Sequence, residues 1–210
     1  MILVRKFSFF FTLNRFFIPN FANVKPTKKM EDLIGELHIM KVYPETIVDG
    51  PGFRYSIYLS GCRHHCPGCQ NPNSWNPLNG LPLRRSMVDE MVESINENPI
   101  LDGVTFSGGD PFFNPKDFGY ILKRIKKETG KNIWVYTGYK FEELLEIEEV
   151  IPLLNYIDVI VDGRFDQSKF DPRLDWRGSS NQRLVKVQEE LRKFRKEKKE
   201  AEKASKKEAC

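Results

Sequence analysis

Apolar residues recur at helical spacing in some stretches of this chain and crowd into short runs in others. Met87, Val88, Met91, Val92 and Ile95 form one helical stripe. Ser86 is its expected N-cap, with Asp89 at the capping-box position and Asn98-Pro99 as the stop. Phe118, Ile121, Leu122 and Ile125 form a second stripe, entered through Asn114-Pro115 and closed at Gly130. Phe141, Leu144 and Leu145 mark a third helix. Residues 55–59, 104–106, 133–136 and 157–161 are short, β-branched or aromatic runs and read as strands. Residues 37–42 and 184–187 are candidates for a first and a last strand, and residues 75–85 read as irregular.

Strands alternating with helices predict parallel β-α-β units, in which ligands bind beyond the carboxyl ends of the strands. The punctuating residues fall at those ends. Cys62 follows one strand, Gly108-Gly109-Asp110 the next, Thr137-Gly138 a third and Asp162-Gly163 a fourth. The expected fold class is α/β, a partial (β/α) barrel of about five to six mostly parallel strands, because a closed barrel of this kind needs about eight. Asp162 and Arg177 stand where ligand or partner contact is expected, without an assigned role.

The segment Ser60-Gly61-Cys62-Arg63-His64-His65-Cys66-Pro67-Gly68-Cys69-Gln70 spaces three cysteines as C-x3-C-x2-C. Thiolates this close on one loop can converge on one metal centre. A zinc knuckle would take His64, His65 or Cys210 as its fourth ligand. An iron–sulfur cubane held by three thiolates would keep one iron open, which a catalytic site needs and a structural site avoids. An open iron can be chelated by the amine and carboxylate of an amino acid. If that amino acid is the methionine part of S-adenosylmethionine, its sulfonium lies beside a low-potential cluster able to split it. Gly108-Gly109 would let backbone approach such a ligand, and Asp110 would pair with its ammonium. A disulfide framework is disfavoured, since three cysteines cannot pair among themselves. His64 and His65 are expected in solvent or behind the ligands.

Composition narrows the setting. The chain has 210 residues, enough for one domain with a sizeable core. Its formal charge is +4, with the basic excess at the two ends, which argues against a nucleic-acid groove. No apolar run reaches the ~20 residues needed to span a bilayer. Thiols kept as metal ligands imply a reducing, cytoplasmic setting. Residues 1–30 carry seven phenylalanines and no acid. They read as an extension outside the fold, with Met30 as a working start, ahead of an organelle-targeting segment. Residues 31–187 form the expected domain. Residues 188–210 are a Lys/Glu tail of good helix propensity with little to bury, ending in a free Cys210.

The cysteine spacing with its Gly-Gly-acid partner resembles the radical S-adenosylmethionine superfamily. Asp49-Gly50-Pro51-Gly52, Cys66-Pro67-Gly68-Cys69, Thr137-Gly138-Tyr139, Val161-Asp162-Gly163-Arg164-Phe165 and Arg177-Gly178-Ser179-Ser180-Asn181-Gln182 narrow the likeness. Over about residues 42–182 the chain resembles the family of glycyl-radical-enzyme activases that serve anaerobic ribonucleoside-triphosphate reductase. The resemblance implies one 4Fe-4S cluster on Cys62, Cys66 and Cys69. It implies S-adenosyl-L-methionine contacted by Gly68, Cys69 and Gln70 and by Gly109 with Gly108 and Asp110. The radical generated would take the Cα hydrogen of a glycine near the C-terminus of the large reductase subunit, with a flavodoxin-like protein as electron donor. No catalytic residue beyond cluster and cofactor is expected, because hydrogen-atom abstraction needs no general base. Gly68 stands where many superfamily members have an aromatic residue, so adenine is held differently there. An activase of a formate-lyase, which shares Asp49-Gly50-Pro51-Gly52, is the neighbouring alternative. A zinc-held interaction module without catalysis is the alternative of another class.

Overall fold

The computed structural model describes residues 32–208. The expected extension of residues 1–30 and the Cys210 thiol lie outside the described residues. The described chain runs β1 (Leu33–Thr46), β2 (Phe53–Leu59), β3 (Leu81–Arg84), α1 (Arg85–Glu97), β4 (Leu101–Gly108), α2 (Pro115–Thr129), β5 (Asn132–Tyr136), α3 (Phe141–Leu144), β6 (Val159–Asp162), β7 (Arg183–Lys186) and α4 (Val187–Glu208).

One seven-stranded sheet has the order β3-β1-β2-β4-β5-β6-β7. Its centre, β2-β4-β5-β6, is parallel. The pairs that add β1, β3 and β7 are antiparallel. The fold is therefore mixed α/β, and the sheet has seven strands rather than the expected five or six. The extra strand is β3, in the stretch expected to be irregular. Pro82 hides it from a propensity reading, but an edge strand tolerates proline because one side of its ladder is unpaired. The first strand is also far longer than expected. β1 pairs with β3 through its first half and with β2 through its second, so tertiary pairing carries it through Gly35 and Pro44.

Residues of one strand phase, Tyr55, Ile57, Leu59, Val104, Phe106, Ile133 and Val135, join the α1 and α2 stripes in a single buried core. α2 starts as the sequence predicts: the Asn114 side chain accepts from the Asp117 N–H, Pro115 follows, and Gly130 closes the helix. α1 does not. Its N-cap position is Arg84, without a side-chain cap. Ser86 lies inside the helix, where its N–H and hydroxyl both donate to the Asp32 carboxylate, at 3.1 and 2.6 Å. The cap comes from a residue distant in sequence. The third helix is a single turn, its Phe141 N–H donating to Asp162 Oδ2 at 2.8 Å.

The opposite phase of the sheet is polar and aromatic. Arg54 is 1% exposed. Its guanidinium donates to Thr105 Oγ1 at 3.1 Å, Val104 O at 2.8 Å and Asn132 Oδ1 at 3.1 Å. Burial pulls Arg54 down to about 10. Thr105 Oγ1 donates in turn to Asp49 O at 2.8 Å, and Tyr58 donates to the Asp49 carboxylate at 2.9 Å. The Asp49-Gly50-Pro51-Gly52 turn thus folds back over this face. Trp134 meets Trp176 edge-on at 5.5 Å between ring centroids.

The chain beyond β7 is helix from its first residue. Val187 and Leu191 are buried, and Gln188 Nε2 donates to Leu154 O and Ile157 O. The start of α4 is therefore docked, Phe194 is half-buried, and the described side chains from Arg195 on are exposed.

Candidate iron–sulfur site

The carboxyl ends of β2, β4, β5 and β6 lie side by side, and the suspected loops meet there. The cysteine loop leaves β2 through Ser60 and Gly61. Its base is fixed by neighbouring backbone: Ser60 N–H to His38 O at 3.0 Å, Gly61 N–H to Ser74 O at 2.8 Å and Cys62 N–H to Trp75 O at 3.4 Å. Beyond this base the loop has no regular secondary structure. A turn closes Cys69 N–H on Cys66 O at 3.1 Å.

Cys62, Cys66 and Cys69 are half-buried free thiols. Burial pushes the Cys62 and Cys66 thiols up, while backbone N–H groups aimed at the sulfurs work against it. The donors are His64 and His65 for Cys62, and Phe165 for Cys66. The Asn71 N–H lies 3.4 Å from the Cys69 sulfur. Such N–H donors favour thiolate and tune a cluster bound to it.

The Gly-Gly-Asp segment is shaped first by its own protein. Gly109 N–H donates to Leu59 O at 2.7 Å and Asp110 N–H to Gly61 O at 2.8 Å. A Cβ on Gly108 would lie 2.5 Å from Leu59 backbone, and one on Gly109 2.3 Å from Gly61 O. These glycines let the end of β4 cross the end of β2. The Asp110 carboxylate accepts from Phe112 N–H at 2.9 Å, Thr137 Oγ1 at 2.9 Å, Gly138 N–H at 2.9 Å and His64 Nε2 at 2.8 Å. The sequence reading aims this carboxylate at a ligand's ammonium. Here protein donors already engage it, and it ties three loops together.

Of the two places expected for His64, the structure gives the one behind the cysteines: its side chain is 6% exposed. Its Nδ1 accepts from Arg164 Nε at 3.1 Å. Arginine Nε can only donate, so Nε2 carries the imidazole proton toward Asp110. His65 turns the other way, with φ 46°, and tilts over Trp75 at 4.8 Å between rings. The position of His64 between two of the spaced cysteines was the one available signal. Arg164 and Phe165 stand in a segment that narrows the family likeness, but nothing in the sequence gave either a place in this network. Gly68 and Gln70 are exposed on the rim. Asp162 accepts from the Phe141 N–H and from Arg183. Arg177 Nη1 donates to Gln182 O at 3.3 Å.

The donor set fits a cluster better than a single ion. Among the described residues no three His, Cys, Asp or Glu side chains gather as one-ion ligands. Three thiolates that each take a separate iron need not meet at a point. Both ring nitrogens of His64 are already used, which removes it as a fourth zinc ligand. The buried indole N–H of Trp75, at the base of the loop, has no acceptor among the described residues and is open to a water or a bound group.

Comparison with known proteins agrees with this geometry. The family described as a 4Fe-4S single cluster domain matches residues 48–185. The chain is 45% identical over 145 residues to the anaerobic ribonucleoside-triphosphate reductase-activating protein of Escherichia coli (strain K12), spanning 67% of this chain and 92% of that protein. It is 40% identical over 151 residues to the protein of that name from Pasteurella multocida, spanning 70% and 95%. The corresponding figures for the one from Enterobacteria phage T4 are 37% over 147 residues, spanning 69% and 90%.

Proposed function

The chain belongs to the family of anaerobic ribonucleoside-triphosphate reductase-activating proteins, and from that premise we propose that it installs a glycyl radical on such a reductase. Cys62, Cys66 and Cys69 would hold one 4Fe-4S cluster. Once bound and reduced, that cluster supplies the electron that splits S-adenosyl-L-methionine, so that a hydrogen atom can be taken from a glycine Cα of the reductase's large subunit. The proposed contacts to S-adenosyl-L-methionine are Gly68, Cys69 and Gln70 on the cysteine loop, with Gly108 and Gly109 on the facing rim. Asp110 would hold that rim in shape. The observation that carries this reading is the meeting of the cysteine loop with the Gly-Gly-Asp segment, through Gly109 N–H to Leu59 O and Asp110 N–H to Gly61 O.

Several finer features belong to the same proposal. The sheet would be a partial (β/α) barrel of the radical S-adenosylmethionine type, spanning residues 31–187, with residues 1–30 an extension and 188–210 a charged tail. The polar face carrying Arg54, Tyr58, Thr105 and Trp134 would be its inner wall. A flavodoxin-like protein would deliver the electron. No helix among the described residues is long and apolar enough to cross a membrane, and a cytoplasmic setting would suit thiolate ligands.

The test is electron paramagnetic resonance on protein reconstituted without oxygen. A reduced-cluster signal that changes on adding S-adenosyl-L-methionine, followed by a glycyl signal on the reductase, is the expected result. Cys62→Ala, Cys66→Ala and Cys69→Ala should each abolish it, and Cys210→Ala should not. Stoichiometric zinc without iron would sink the proposal. A glycyl signal on a formate-lyase alone would move the chain to the neighbouring activity.

A further inference from the structure

The cysteine loop has to hold three sulfurs in a fixed pattern, yet among the described residues no backbone–backbone bond crosses it between Cys62 N–H and the Cys66–Cys69 turn. Two side chains cross it: Arg63, whose Nη1 donates to Phe113 O at 3.2 Å on the exposed side, and His64, whose side chain is buried. One ring nitrogen reaches the Asp110 carboxylate and the other takes the Arg164 Nε–H, at 2.8 and 3.1 Å. The ring edge packs on Tyr139 at 4.6 Å between centroids. Its flat side lies where any side chain of residue 138 would be: a Cβ there would come 2.3 Å from His64 Cδ2. Asp110 stands after β4, Thr137 and Gly138 after β5, and Arg164 after β6, so a single imidazole joins the cysteine loop to the ends of three strands.

We propose that His64 is a positioning residue: the Arg164–His64–Asp110 chain clamps the cysteine loop onto the Gly-Gly-Asp rim and fixes the cluster's open side relative to S-adenosyl-L-methionine. This rests on the activase reading for its ligand, although the clamp itself does not. The arrangement suits a positioning role. An acceptor at Nδ1 and a donor at Nε2 give the ring one orientation. Asp110 is held by Thr137 and Gly138 N–H before His64 reaches it. Groups behind a metal centre's ligands that orient them typically carry roughly 10- to 100-fold effects on affinity or activity.

The experiment compares wild type, His64→Ala and His64→Gln. Glutamine keeps an amide N–H where Nε2 stood but loses the acceptor for Arg164. In reconstituted protein, the S-adenosyl-L-methionine concentration that half-converts the reduced-cluster resonance should rise about 10- to 100-fold in His64→Ala, with His64→Gln recovering much of the loss. A wild-type midpoint and line shape in His64→Ala overturns the clamp. If His64→Ala fails to hold iron, His64→Gln decides: recovered iron content and ligand response support the clamp, and failure equal to alanine's overturns it. Metal-free protein gives a second reading. Arg63 is exposed within the loop, so trypsin should cut after it several-fold faster in His64→Ala at an unchanged melting temperature; equal rates overturn the clamp. Absence of any ligand response in wild type would defeat the activase reading, and the tryptic comparison would still judge the clamp.

Discussion

The imidazole of His64 occupies the space a side chain at Gly138 would need, with Cδ2 only 2.3 Å from where a Cβ would lie. Thr137-Gly138-Tyr139 is thus not a generic turn. Its glycine is set by a histidine far away in sequence. Gly138→Ala should push the ring off Asp110 or bend the end of β5, costing about 1–3 kcal/mol as overpacking does. Urea denaturation of the metal-free protein measures it as a lower midpoint at unchanged slope.

Asp32 caps α1 through Ser86, and this bond holds its carboxyl below the ordinary value of 3.8. A depressed carboxyl stabilises the fold above its unfolded pKa and loses that contribution as pH falls through the folded one. Asp32→Ala should cost about 0.5–2 kcal/mol near neutral pH. The gap from wild type should close as pH falls below 3.8. A gap independent of pH would mean that the charge plays no part.

Much of this architecture was readable where local and tertiary demands agree. The α1 and α2 stripes, Asn114-Pro115 and Gly130 predict buried faces and boundaries that the structure keeps. Reading failed where distant partners decide. Asp32 caps a helix across 54 residues, and β3 exists because β1 offers it an edge. At the site, the cysteines and glycines were visible because their chemistry is intrinsic to spacing and size. The roles of His64, Arg164 and Phe165 were hidden because each is defined by contact with a loop from another strand.

Thr105 joins the Arg54 guanidinium to the backbone of the Asp49 turn, accepting from Arg54 Nε and donating to Asp49 O. Thr105→Val keeps the shape and removes both bonds. One buried donor and one buried acceptor are left unsatisfied, so a loss of about 1–3 kcal/mol is expected. A loss below that range would mean that water or a rotated Arg54 replaces the hydroxyl. Thermal and urea unfolding distinguish these.

Arg183 spans two carboxylates of unequal burial. The side chain of Asp162 is 1% exposed and that of Glu142 64%. Asp162→Ala strands the Phe141 N–H, at about 1–3 kcal/mol, while the half-exposed Arg183 keeps Glu142 and solvent. Glu142→Ala breaks a solvent-screened pair worth about 0–1 kcal/mol. Similar losses in both would contradict the burial difference, and melting temperatures of the two variants decide.

Removing the metal separates a catalytic cluster from a structural ion. None of the three cysteines belongs to the buried core, which α1, α2 and the sheet complete without them. The loop's base is held by backbone bonds to Ser74 and Trp75, and its middle by His64. A structural zinc in finger peptides contributes roughly 10–16 kcal/mol of apparent binding energy to folding, so chelation unfolds them. In this protein the core should survive chelation: far-ultraviolet circular dichroism and a cooperative melt should persist, with cleavage confined to residues 60–71. Collapse of the whole transition on adding chelator would instead make the metal part of the fold, and would revive the zinc-held alternative with His65 or Cys210, rather than the engaged His64, as fourth ligand.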